Sequence, residues 1–435
     1  MTSKGFYYGM LALGLWGACG QAQAYSAFAQ DSPWMFGDWN GERSRLGQQG
    51  VDFDLRYISE SAWNAHGGYN HDDAVRYSDQ WTAGVKFDLD KLLNLPNATF
   101  QLTLTDRNGD DLTADRLVNP VTGNVSSVQE VHGRGNITRI TQLWYRQLFF
   151  NDALDIKLGR IPVGDDFATF NSNFQNLFLG SGEPGNQAGG IWYNWPVSQW
   201  ATRIKWNVTP EYYAEIGFFN LNPSNLDTDH GTDLKHSGTI GTLIPVEFGW
   251  TPKLGAEGLP GQYKIGGYYS TAEATDYDSN EDDATQGHRV GAYYVVNQQV
   301  TTRDGDVSRG LSLFSMGTWN DQDTAYIDKY ISVGMNYIGP FDARPHDDVG
   351  IGLAWANVND NYDDYMRRNY SSPGGQASPG VRPAQGEEYD AEVYYGFHVA
   401  NWLTLRPNLQ YVVHPGGATD TDNAVVGGLM AKADF

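Results

Sequence analysis

In the stretch EEYDAEVYYGFHV, Glu387 to Val399, apolar and polar residues take turns. Ala391, Val393, Tyr395, Phe397 and Val399 share one parity, and Asp390, Glu392, Tyr394, Gly396 and His398 share the other. Successive side chains of a β-strand point to opposite faces, so a period of two makes a strand with one apolar and one wet side. The pattern returns in Asp52 to Ser59, where Phe53, Leu55 and Tyr57 oppose Asp52, Asp54 and Arg56. It returns again in FQLTLTDR, where Phe100, Leu102 and Leu104 oppose Gln101, Thr103, Thr105 and Arg107. Such strands bury their apolar faces in a sandwich core or turn them toward lipid. The rest of the chain has to decide between these.

Sixteen segments of this character span the chain, from Val51–Trp63 and Gln80–Leu89 to Trp402–His414 and Asn423–Phe435. Loops rich in Asp, Asn, Gly, Pro and Ser separate them. Beyond the first 24 residues no apolar run reaches the ~20 residues a membrane helix needs. A chain that crosses a membrane without such a helix must close its strands into a barrel, since every backbone polar group in hydrocarbon needs a partner. Composition points the same way: 14 Trp, 26 Tyr, 19 Phe and 51 Gly accompany a hydrophobic fraction of 40%. Aromatic girdles around a polar lumen produce that combination. The last segment, AVVGGLMAKADF, ends with Val425, Gly427, Leu429, Ala431, Ala433 and Phe435 on one parity. A final strand ending on Phe is associated with outer-membrane barrels. The predicted fold is therefore all-β, a 16-stranded antiparallel transmembrane β-barrel with an inward-folded constriction loop.

Lys4, the apolar run Phe6 to Ala18 and the small-x-small site Ala22-Gln23-Ala24 predict a signal peptide over residues 1–24. Residues 25–50 form an N-terminal segment, in which DWNGERSRLGQQG suits a short helix with Asp38 near its N-cap. Residues 51–435 form a single barrel domain. Loss of the leader removes Lys4 and Cys19, the single cysteine, and leaves 28 basic against 52 acidic residues, a charge of −24. No disulfide framework is available, and this charge excludes a nucleic-acid partner. There is no G-x-S-x-G, H-E-x-x-H or P-loop, and no cofactor or metal motif, so an enzyme is not expected. The acidic runs Asn280 to Gly287 and Asn359 to Tyr365 lack EF-hand spacing and read as loop charges.

Short junctions at Asn151-Asp152, Val208 to Pro210 and Ala400-Asn401 suit tight turns, and the long stretches 106–136 and 161–196 suit extracellular or inward-folded loops. FATFNSNFQNLFLGSGEPGNQAGGIWYNWP, within the second, is too aromatic for a solvated loop and is expected to pack against the lumen.

FGDWNGERSRLGQQGVDFDLRY, GGIWYNWPVSQWA, SRGLSLF and EYDAEVYYGFHVANWLTLRPNLQYVVHPGG resemble the OprB-type carbohydrate-selective porins. That resemblance implies an outer-membrane channel for passive diffusion of monosaccharides such as glucose, in contact with outer-membrane lipid and lipopolysaccharide. It also implies three substrate-binding residues. Arg107 would donate to sugar oxygens, Glu130 would accept from hydroxyls, and Trp195 would stack on the ring or narrow the hole. The blander readings are a rung of a lumenal charge ladder for Arg107, a solvated loop acid for Glu130 and a loop-anchoring or girdle aromatic for Trp195. Lys157, Arg203, Lys205 and Arg406 share inward parity and are expected in the general charge lattice. The alternatives are a general or anion-preferring porin and, from another class, a secreted sugar-binding protein or glycoside hydrolase. Whether the barrel forms a homo-oligomer is left open.

Overall fold

The computed structural model describes residues 25–120, 123–170, 172–180, 188–281, 284–370 and 386–435. The predicted leader, residues 1–24, lies outside them.

Sixteen long strands follow one another: β1 (Val51–Gly68), β2 (Ala74–Asp88), β3 (Ala98–Gly109), β4 (Ile137–Phe149), β5 (Leu154–Ile161), β6 (Gln199–Asn207), β7 (Tyr212–Leu221), β8 (Gly241–Trp250), β9 (Leu259–Ser270), β10 (Arg289–Gln299), β11 (Gly310–Asn320), β12 (Ile327–Ile338), β13 (Asp348–Val358), β14 (Glu387–Ala400), β15 (Leu403–Val413) and β16 (Asp422–Asp434). Each pairs antiparallel with the next, and β16 returns to β1, with Tyr57 opposite Ala433 and Trp63 opposite Gly427. Closure leaves no unpaired edge, which is what makes the architecture compatible with lipid.

Parity decides which side faces out. Exposed apolar side chains ring the wall, among them Trp81, Phe218, Phe248, Ile265, Leu353 and Leu409. Their strand neighbours Thr82, Glu247, Lys264, Gly352 and Gln410 point in and are buried. The sequence boundaries depart most at β2, which begins six residues earlier than the Gln80 expected. Ala74 to Asp79 lies outside the expected strand, yet it pairs residue by residue with β1 from Asn64 to Ser59. The acidic run Asn359 to Tyr365 is another departure: most of it lies in a helix, α2 (Asp360–Tyr370), rather than in a loop.

A short helix, α1 (Glu42–Gln48), precedes the barrel. The Asp38 carboxylate accepts from the Gly41 backbone at 2.8 Å and from Ser44 Oγ at 3.1 Å, bracing the helix entry. Arg43 lies 4.1 Å over the Trp34 ring and donates to the carbonyls of Phe53 and Phe435. The N-terminal segment is thereby tied to both strands of the closing seam, at the end where Arg56 faces Asp434.

The interior is not uniformly polar. Phe167, Phe170, Phe174, Phe178, Leu179, Ile191 and Trp192, all from residues 162–198, are buried on the inner faces of β7 to β14. Phe174 meets Tyr394 at 5.0 Å and Phe314 at 5.7 Å, and Trp192 meets Tyr268 and Tyr293 edge-on. Each buried aromatic of this kind contributes roughly 1.5–3 kcal/mol. Gly352 makes room for them: a Cβ there would sit 2.9 Å from Leu179 and 3.1 Å from Phe174.

Candidate functional site

On the wall, Gln80 of β2 faces Arg107 of β3 directly. Both have inward parity, so their side chains meet inside the barrel. Gln80 Oε1 accepts from Arg107 Nε at 2.7 Å and from Trp195 Nε1 at 3.0 Å. One amide oxygen therefore joins the strand arginine to the tryptophan at the end of the 162–198 loop. Arg107 Nη1 reaches the Gly133 carbonyl at 3.5 Å, and Nη2 has no hydrogen-bond partner among the described residues. Arg107 has no carboxylate within 4 Å there either, so the ladder-rung reading does not describe it.

Glu130 sits on the other inward loop, residues 110–136, and is half-buried. Burial pushes its carboxyl above the usual range, and the nearby Arg107 charge opposes that. Its backbone N–H donates to the Gln175 carbonyl at 2.8 Å, and Leu177 N–H donates to the Ser127 carbonyl at 2.8 Å. The two loops are thus stitched together where Glu130 stands. Two of the three sequence candidates meet, Arg107 and Trp195 through Gln80; Glu130 is linked to them only by the electrostatic effect of the Arg107 charge on its carboxyl. Arg134, four residues further along the same loop, is exposed, and its electrostatic effect reaches Arg107.

Gln80 escaped the sequence reading. Its inward parity was visible, but many inward residues are polar, and its role depends on a loop tryptophan 115 residues away.

Wall carboxylates position the loops. Glu60 on β1 accepts from Val131 N at 2.9 Å, and Glu247 on β8 from Ala168 N at 2.7 Å. Glu392 on β14 takes both Gln175 N at 3.0 Å and Asn176 N at 2.7 Å, one on each oxygen. All three glutamates are buried. Loop N–H groups that would otherwise be orphaned inside the barrel find carboxyl acceptors there.

The remaining cations form the lattice expected from parity. Arg203 lies 3.1 Å from Asp155 and 3.4 Å from Asp166, Lys157 lies 2.7 Å from Asp166, and Lys205 lies 3.6 Å from Glu215. Arg406 stands 3.6 Å from Asp348. In the loop after β5, Lys157 and Arg203 outweigh burial and hold Asp166 down at about 2, whereas burial pushes Asp165 up to about 6. A carboxyl with a raised pKa costs stability above that pKa, and the cost disappears as pH falls below it. Asp165→Asn is therefore expected to raise the thermal midpoint at pH 7.5, with the gain shrinking below about pH 6. Circular dichroism melts across pH would show an unchanged gain at pH 5 if this account were wrong. On the surface, ligand atoms of Asp227, Asp229 and His230 lie within 4.8 Å of one another, an exposed grouping of a kind common on loops.

The decisive comparison is with the family model described as carbohydrate-selective porin, OprB family, which matches residues 72–435. The chain belongs to the OprB family. Porin B of Pseudomonas aeruginosa is 47% identical over 438 residues, covering 98% of this chain and 96% of that protein. A putative porin QuiX of Acinetobacter baylyi is 36% identical, covering 94% of each. The high-pH structure of Pseudomonas putida OprB superposes with a TM-score of 0.90 at 46% identity, covering 94% of this chain and all of that one. Its low-pH structure gives 0.61 over the same share. This OprB-family barrel is a carbohydrate-selective channel of the outer membrane. Membership in a porin family points to a channel rather than an enzyme.

Proposed function

We propose that the channel passes monosaccharides of glucose type, and that Arg107, Glu130 and Trp195 contact the sugar at its narrowest point. The observation that carries this reading is the shared acceptor Gln80 Oε1, which orients a guanidinium and an indole side by side within the barrel. A pyranose presents hydroxyls around its edge and C–H groups on its face. Arg107 Nη2 donates to ring-edge oxygens, Glu130 accepts from hydroxyls, and Trp195 covers the C–H face. The inward loops that carry Glu130 and Trp195 form the constriction.

Passage requires weak binding, on the order of millimolar or about −4 kcal/mol. Three or four net hydrogen bonds of ~0.5–1.5 kcal/mol reach that value. The test is swelling of proteoliposomes in isotonic glucose, a disaccharide, or a neutral amino acid of similar mass. Glucose is expected to enter fastest, ahead of the amino acid. Rates that scale with solute mass alone would favour a general pore.

A further inference from the structure

We propose that the lumen wall on the periplasmic side of the constriction carries a second sugar contact, in which a pyranose lays its C–H surface on Trp144 and gives its hydroxyls to Gln101 and Asp165. This contact rests on the reading that Arg107, Glu130 and Trp195 pass monosaccharides, and adds what the sugar meets next.

Side-chain direction puts these residues in the channel. On β3, Gln101, Thr103 and Thr105 share the inward parity of Arg107, and Gln101 lies opposite Trp144 of β4. Lys157 of β5, whose Nζ reaches Asp166 of the inward loop at 2.7 Å, lies opposite Arg146, so Arg146 and Trp144 point inward together. Among the inward side chains of β2 to β6, Trp144 is the one aromatic. Short turns mark the periplasmic end of such a barrel. Arg107 lies opposite Ile137 at the other end of β4, so a solute that has passed Arg107 meets Trp144 before it leaves.

Trp144 is half-buried, but its Nε1 is fully enclosed and makes no hydrogen bond among the described residues. What the lumen meets is therefore ring carbon. The loop core packs against part of the indole and Lys157 Nζ stands 5.0 Å from the ring centroid, which together hold it still. Beside it runs a relay of side chains: Gln101 Nε2 donates to Thr103 Oγ1 at 2.9 Å, Thr103 Oγ1 to Gln142 Oε1 at 2.7 Å, and Gln142 Nε2 to Asp165 Oδ2 at 2.6 Å. The oxygens at its two ends, Gln101 Oε1 and Asp165 Oδ1, have no partner among the described residues, and neither is enclosed. At this level β2 contributes no side chain: Gly84 lies opposite Thr103, and a Cβ there would come within 3.1 Å of Thr103 Oγ1 and 3.3 Å of Gln101 Nε2.

Apolar ring surface beside open acceptors matches a pyranose, which has C–H groups on its face and hydroxyl donors around its edge. The cations here are already paired, Lys157 with Asp166 and Arg146 with Asp155 at 2.6 Å, so none is left to attract an anion. The opposite side of the lumen, along β7 to β14, is filled by the loop aromatics, which leaves this wall to the solute.

Proteoliposome swelling with glucose, with sorbitol and with a neutral amino acid tests the contact, since sorbitol is an open-chain polyol of nearly the same mass as glucose but has no ring. The unsubstituted channel is expected to take glucose ahead of sorbitol. In Trp144→Leu, which keeps apolar bulk but not the ring, the glucose-to-sorbitol rate ratio is expected to fall several-fold while sorbitol entry holds. Trp144→Tyr is expected to restore most of the ratio. A displaced loop would change both solutes together; that result, or an unchanged ratio in Trp144→Leu, overturns the proposal. Where Trp144→Leu does not reach the folded gel mobility, Gln101→Leu decides: a lowered ratio supports the contact and an unchanged one overturns it. Glucose ahead of the amino acid but level with sorbitol overturns the Trp144 contact and leaves the constriction reading standing, whereas glucose level with the amino acid overturns both.

Discussion

Arg107→Ala is expected to weaken the block of ion current by glucose ten- to a hundredfold in planar bilayers. A hydrogen bond from a charged donor is worth about 1.5–3 kcal/mol, and every 1.4 kcal/mol is a factor of ten. On a site of millimolar affinity this removes measurable block altogether. Gln80→Leu separates positioning from charge. It keeps the guanidinium but deletes the oxygen that receives both Arg107 Nε and Trp195 Nε1. An intermediate loss of block is expected, with little change in anion–cation preference, since no charge is removed. Arg107→Ala should change that preference as well. Unchanged glucose block in Arg107→Ala would take Arg107 out of the sugar site.

Glu392→Ala is expected to raise single-channel conductance and its open-state noise, and to lower the temperature at which the barrel loses its folded gel mobility. The variant strands Gln175 N and Asn176 N inside the barrel, at a cost of about 1–3 kcal/mol for each unsatisfied donor. Gln175 also gives its carbonyl to Glu130 N, so the displacement reaches the proposed sugar contact. Glu392→Gln keeps the shape and one acceptor oxygen but turns an amide N–H toward the other loop donor. It should fall between the two. Equal conductance and noise in all three proteins would mean that the aromatic packing of Phe174 and Phe178 holds the loop unaided.

Much of the wall was legible from the chain alone. β4, β12 and β13 begin and end where the alternation does, because each is a strand of marked two-sidedness between clear loop residues. The start of β2 was not legible: Arg76, Ser78 and Asp79 carry no local strand preference, and only pairing to β1 makes them extended. The helix α2 was hidden for a related reason, since its acidic residues resemble loop charges until their helical neighbours are known.

The proposed sugar contact was half legible. Parity placed Arg107 inside any barrel, because side-chain direction in a strand is a local property of the backbone. No local property says that Trp195 returns to Gln80, that Val131 N finds Glu60, or that Gln175 N finds Glu392. Those contacts join residues 71 to 217 positions apart through loops with no period to read. By itself, then, the sequence determined the class of fold and the face on which each wall residue stands. Only the tertiary structure decided how the loops fill the lumen, because burial of their aromatics and capture of their N–H groups depend on surfaces that exist only once the barrel has closed.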